Sequence, residues 1–151
     1  VCSSDLNRLC RLRQSLPKAP HQEALAPHWS PRLRGLMRDA LAGQQAYRQK
    51  YPTDKPPLID GDLFSSLFEG ATSFEIANTT QQGASAVVVV RYAYVDPATR
   101  KVLQRWTDRF LLVRDASGPG WLIDDIEYQG GWDFAIKGRL SSALAETAAL
   151  R

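Results

Sequence analysis

ASAVVVVRYAYVDPATRKVLQRWTDRFLLVRDASGPGWLIDDIEY, residues 84–128, decides the fold, because it reads as three long strands joined by two turns. Each run is rich in Val, Ile, Tyr, Phe and Trp, and the breaks at Asp96-Pro97 and at Ser117-Gly118-Pro119-Gly120 are turn chemistry. The three runs form an antiparallel meander. If Asp96 faces Lys101 across the first turn, Arg91 lies opposite Trp106 and Val89 opposite Asp108. One face then presents Val87, Val89, Arg91, Ala93 and Val95 with Gln104, Trp106, Asp108, Phe110 and Leu112. The larger apolar share of this face makes it the expected core side. In the last strand Trp121 and Ile123 share one parity while Ile126 and Tyr128 share the other, which predicts a β-bulge at Asp124-Asp125. Strands this long do not stay flat over a helix, and a bulge supplies the bend.

Upstream, Ser30 can cap and Pro31 fits the first helical position of SPRLRGLMRDALAGQQAYRQKY, which Pro52 ends. Leu33, Leu36, Met37, Ala40, Leu41 and Tyr47 mark one apolar face, broken only by Gln44. Gly35 and Gly43 lie nearly on one face, which predicts a close approach to the sheet. KPPLIDGDLFSSLFEG predicts an Asp60 or Asp62 cap and a two-turn helix burying Leu63, Phe64, Leu67 and Phe68, stopped by Gly70. Residues 72–78 alternate as a first strand, TTQQG is expected as a polar turn, and ALAETAALR forms a weak terminal helix, only partly ordered.

At 151 residues this is one domain, long enough to bury roughly two-thirds of its unfolded surface without metal or disulfide. Cys2 and Cys10 form no CxxC and no disulfide framework, and no run of about 18 apolar residues spans a bilayer. The net charge of +3 is local: residues 1–50 hold nine Lys or Arg against three acids, and residues 51–151 ten against thirteen. VCSSDL, residues 1–6, looks like the translation of a common sequencing-adaptor end, and the aromatic-free stretch to residue 28 is expected to lie outside the evolved fold. The rival reading makes Cys2 a lipidated cysteine. Domain 29–151 then carries a charge near +1, which gives no support for nucleic-acid binding.

The order of elements from Ser30, a long helix, a short strand, a short helix and then a bent antiparallel sheet, resembles the nuclear-transport-factor-two-like superfamily, the cystatin-like α+β cone. The ending GWLIDDIEY is similar to an uncharacterised bacterial family of small exported proteins and lipoproteins with this fold. The resemblance covers about residues 29–134. It implies an α+β domain with helices on the concave face of a strongly bent, mostly antiparallel four-stranded sheet, a half-cone, and a place in the periplasm or outer envelope. The superfamily holds isomerases, dehydratases, hydrolases and non-catalytic binding domains, so membership transfers no activity.

Candidate chemistry centres on Asp108, which beside Trp106 and diagonal to Arg91 is either an ion pair satisfied within the sheet or a general base with a raised pKa. Arg91, Trp106, Asp108 and Tyr128 are the candidate ligand contacts. Asp124, Asp125 and Glu127 read as a solvated strand end rather than an oxygen-ligand metal site. His21 and His28 lack a third ligand at zinc-like spacing. Arg105 with Arg109, and Tyr92 with Tyr94, are expected to decorate a convex face. GxGxxG, GxxxxGK, HExxH and GxSxG are absent, so neither a cofactor nor a metal is expected. The reading is a non-catalytic bacterial envelope domain that binds a small ligand or protein partner. It contacts membrane only through a lipid anchor outside this stretch, and a homodimer is compatible with it. The runner-up is an isomerase- or dehydratase-type enzyme with Asp108 as base.

Overall fold

The computed structural model describes residues 15–151. Helix α1, Ala19–Leu25, leads through a 3-10 turn, Ala26–His28, into the long helix α2, Pro31–Lys50. Five strands follow, β1 Ser73–Gln82, β2 Ser85–Val95, β3 Val102–Arg114, β4 Trp121–Tyr128 and the two-residue β5 Gly138–Arg139, and then helix α3, Leu140–Ala148. The sheet is open and antiparallel in the order β1-β2-β3-β4-β5. The fold is therefore α+β with five strands rather than four, the fifth closing the chain's return onto β4.

One face of the sheet is buried. In β2 and β3 every second residue is inside, Val88, Val90 and Tyr92 from one strand and Trp106, Asp108, Phe110 and Leu112 from the other. This period-2 alternation is what a sheet covered on one side requires. Leu33, Met37 and Ala40 of α2 and Leu140 and Leu144 of α3 complete the core.

The expected pairing holds at the turn and fails beyond it. Asp96 N donates to Lys101 O at 2.9 Å, and Val95 pairs with Val102. The next pair is Tyr94 with Gln104, so Leu103 is an extra residue in β3. From there Tyr92 faces Trp106, Val90 faces Asp108 and Arg91 faces Thr107. A one-residue slip turns a whole strand over. The inward residues of β2 are accordingly the even-numbered ones, Val89 is half-buried, and Arg91 stands on the opposite face from Asp108.

The bulge in β4 lies where parity predicted it. Leu111 pairs with Asp125 and Leu112 with Ile123, leaving Asp124 unpaired and letting Ile123, Ile126 and Tyr128 all reach the core. A further bulge, at Ala77, interrupts β1.

Several expectations give way to the structure. Residues 62–70 form an irregular loop, in which Leu63 and Phe64 are buried while Phe68 is 52% exposed. Asp62 does cap locally, accepting from Phe64 N at 2.9 Å and Ser65 Oγ at 3.2 Å, but these bonds close an Asx-type turn instead of opening a helix. TTQQ belongs to β1, and the turn is Gly83-Ala84, with Gly83 at φ 59°. Among the expected core residues Leu33, Met37, Phe64, Trp106, Phe110 and Ile123 are buried, and Leu36, Leu41, Tyr47 and Leu67 are half-buried.

The segment expected to lie loose is packed from Leu16 onward. Leu16 and Leu25 are buried, Leu16 N donates to Leu58 O at 2.8 Å, and Gln22 Nε2 donates to the carbonyls of Pro17 and Met37. The adaptor-like residues 1–6 and both cysteines lie outside the described residues. Gln44, the polar break in the apolar stripe of α2, is buried and donates to Pro57 O at 2.8 Å, tying the helix to the following loop.

Gly43 approaches α3 and not the sheet: a Cβ there would lie 2.0 Å from the carbonyl oxygen of Thr147, whereas one at Gly35 would meet nothing nearer than 3.9 Å. The terminal helix is thus an integral part of the core. Gly43→Ala should lower stability by about 1–3 kcal/mol, since α3 must move to make room. Gly35→Ala should raise it by about 0.5–1 kcal/mol through the lost helix-interior glycine penalty. Urea unfolding of the two variants checks the opposite signs.

Candidate functional site

Among the described residues Asp108 is the only acidic or basic side chain in the group of largest fully buried ones, and its surroundings explain how it is tolerated. Its carboxylate accepts from Ser66 N at 2.8 Å, from Ser66 Oγ, from Trp106 Nε1 at 3.0 Å and from Gln129 N at 2.8 Å. A buried carboxylate without a cation needs this density of donors. Ser66 Oγ in turn accepts from Gly130 N at 3.0 Å. One carboxylate therefore joins three segments: the loop at Ser66, strand β3, and the chain leaving β4.

The cation expected beside it is elsewhere. Arg91 pairs with Glu75 of β1 on the exposed face, so the Asp108–Arg91 ion pair does not form. Trp106, Asp108 and Tyr128 lie together on the inner face, with Asp108 and Tyr128 as direct cross-strand partners. Tyr128 Oη donates to Leu63 O at 2.6 Å, and burial beside Asp108 pushes its phenol above the ordinary tyrosine range, so it stays protonated as the donor. Tyr92 Oη donates to Phe64 O at 3.3 Å. The Tyr92 ring stacks on Trp106 at 5.3 Å, and Trp132 meets Trp106 edge-on at 5.7 Å. Residues 63–66 are thus pinned into the inner face of the sheet by Tyr92, Asp108 and Tyr128. This segment occupies the space an open cavity would need.

Burial pushes the Asp108 carboxyl above the usual range, opposed by the four hydrogen bonds. A raised pKa is what a general base wants, but a base also needs a free lone pair within reach of its substrate. Here the donors come from the protein itself. Two cavities among the described residues lie elsewhere: one of about 610 Å³ is lined by Leu16, Lys18, His21, Gln44 and Arg48 among others, and one of about 360 Å³ by Gln22, Trp29, Arg34 and Arg38 among others. Neither reaches Asp108.

The acidic pair in β4 is not a solvated strand end. Asp124 accepts from Ser30 Oγ at 2.6 Å and from the Arg32 guanidinium at 2.8 Å, while Ser30 Oγ caps α2 by accepting from Leu33 N at 3.0 Å. Burial pushes the Asp124 carboxyl up, but Arg32 and Ser30 outweigh it and hold it below the ordinary range. Asp125 is buried and accepts from Ser141 N at 2.9 Å and Ser141 Oγ at 2.5 Å, in the first turn of α3. Each aspartate holds one helix start, where a negative charge is favoured. Glu127 pairs with Arg109 at 2.7 Å, which accounts for one of the two arginines expected on the outer face. Among the described residues no group of three His, Cys, Asp or Glu is placed to hold a metal ion. No described helix is long and apolar enough to cross a membrane.

Sequence reasoning missed Ser66 and Ser141 as partners of Asp108 and Asp125, and although it placed Ser30 as the cap of α2 it missed the bond from Ser30 Oγ to Asp124. The one visible signal was Ser65-Ser66 interrupting the apolar run LFSSLF. No family model matches the chain, and neither the curated proteins nor the solved structures yield a match.

Asp108→Asn should cost about 2–3 kcal/mol, because an amide presents hydrogens to donors that need an acceptor. The pH profile supplies a second signature. With its folded pKa raised, Asp108 binds a proton more readily in the folded state, so its contribution to stability declines as pH rises from the ordinary carboxylate value through the raised one. Urea unfolding of the wild type and the variant, from about pH 4 to pH 8, should show that decline only in the wild type.

Proposed function

We propose that this chain is a non-catalytic binding domain of the bacterial envelope, acting on a partner through its outer surface. The observation that carries the reading is the seating of residues 63–66 against Tyr92, Asp108 and Tyr128, which leaves the carboxylate saturated and out of reach of substrate. A small-molecule site on the inner face would require that segment to leave. A protein partner requires nothing of the kind.

The assignment to the cystatin-like cone superfamily, with the sheet rolled as a half-cone around its helices, is part of the same proposal. It is supported by the long capped helix ahead of the antiparallel sheet and by the bulge in β4, which increases local twist. Placement in the periplasm or outer envelope rests on the resemblance of GWLIDDIEY to exported bacterial proteins.

The enzyme reading keeps one supporting observation, the raised pKa of Asp108 in an aromatic surround. It needs residues 62–70 to act as a lid. Native-state hydrogen exchange separates the two. In a permanently filled domain the amides of Ser66, Gln129 and Gly130 exchange only through global unfolding, with an opening free energy equal to the global value. Exchange through a low-energy local opening that leaves the β3 amides protected would favour the lid, and with it the enzyme.

A further inference from the structure

The two edges of the sheet are treated differently. The outer edge of β4 is covered at one end by β5 and at the other by Trp29 and Ser30, where Ser30 N donates to Ile123 O at 2.8 Å and Trp29 forms a parallel bridge with Ile123. The outer edge of β1 has no strand beside it among the described residues, although β1 is ten residues long and exposed along nearly all of it. Sheet edges are normally guarded by lysine, proline or inward charge. β1 carries neither Lys nor Pro, and its one charged residue, Glu75, is neutralised by Arg91 of the same chain. Its one guarding device, the bulge at Ala77, leaves the five residues Asn78, Thr79, Thr80, Gln81 and Gln82 in unbroken register with β2.

We infer that this run pairs antiparallel with the same run of a second copy of the chain, joining two sheets across a two-fold axis at Thr80. An unpaired backbone edge is complementary to another extended backbone, and two features of β1 favour its own copy. First, Asn, Thr and Gln side chains hydrogen-bond to like residues across a strand pair, and the two-fold axis sets Thr80 against Thr80, Thr79 against Gln81 and Asn78 against Gln82. Secondly, no charge falls within the paired run, and Glu75 lies beyond its end, roughly 34 Å from its symmetry mate at the usual rise per residue. Asn78, Thr80 and Gln82 share the face of their β2 partners Val89, Val87 and Ser85, of which the two valines are half-buried. A five-residue ladder makes the association weak and concentration-dependent. The inference goes beyond the proposed binding role and stands independently of what the inner face does.

Sedimentation velocity on the full chain up to about 300 µM, a range in which small interfaces associate, tests it. The wild type should form a dimer. Thr80→Lys and Thr80→Glu should each weaken it roughly tenfold or more by setting like charges face to face, and an equimolar mixture of the two should restore it as a heterodimer. Thr80→Val, which adds no charge and suits a strand, should keep the dimer and confirms with circular dichroism that the position tolerates change. A monomeric wild type would overturn the inference and leave this edge to a foreign strand. Undiminished dimers of both charged variants, or a mixture that fails to associate, would overturn it equally.

Discussion

A carboxylate cannot be buried without donors to meet its lone pairs, and in this molecule that constraint falls on Asp108. Its inward position follows from the alternation of β3, which places Trp106, Asp108, Phe110 and Leu112 on one side of the sheet. With no cation paired to it among the described residues, the demand is met by two backbone amides, a serine hydroxyl and an indole. Those donors sit on three separate stretches of chain. Satisfying one side chain therefore fixes where the loop at Ser66 and the return at Gln129 and Gly130 must lie, and the tyrosines on either side complete the seat.

A second device of the same kind operates in β4. An extra residue in one strand frees Asp124 from the ladder, and the two aspartates it sets side by side reach the first turns of both long-range helices. Ser30 joins this device to the cap of α2, accepting from the amide of Leu33 while donating to Asp124. The strand thus organises the helices by electrostatics as well as by packing: the amide-rich ends of α2 and α3 come to the carboxylates, while their apolar faces carry Leu33, Met37, Leu140 and Leu144 into the core.

Much of this was legible in the sequence, and the failures have identifiable causes. The meander and the capped helix were readable because propensity, turn chemistry and periodicity agree there. The bulge was readable because a parity break in a strand has few other remedies. The inward placement of Asp108 was legible, but its partner was not, since one extra residue at Leu103 turned Arg91 to the other face. LFSSLF has helical apolar spacing, yet Asp62 and the serines bond to nearby and distant backbone instead. The terminal helix looked weak because alanine carries little hydrophobic signal. Its importance lies in Leu140, Leu144 and the contact that only a glycine at position 43 permits.

The seat built around Ser66 also bears on the order in which the chain folds. Its bonds span 42 residues to Asp108 and 64 to Gly130, and Tyr128 reaches back 65 to Leu63. The β2–β3 hairpin closes a short loop; the seat closes long ones and has no place to form until β3 and β4 are paired. On loop-closure grounds its interactions are expected on the native side of the folding barrier. On that expectation, damage to them should leave the rate of folding nearly intact and be felt as faster unfolding, so that this buried carboxylate would set the lifetime of the native state more than the speed of reaching it.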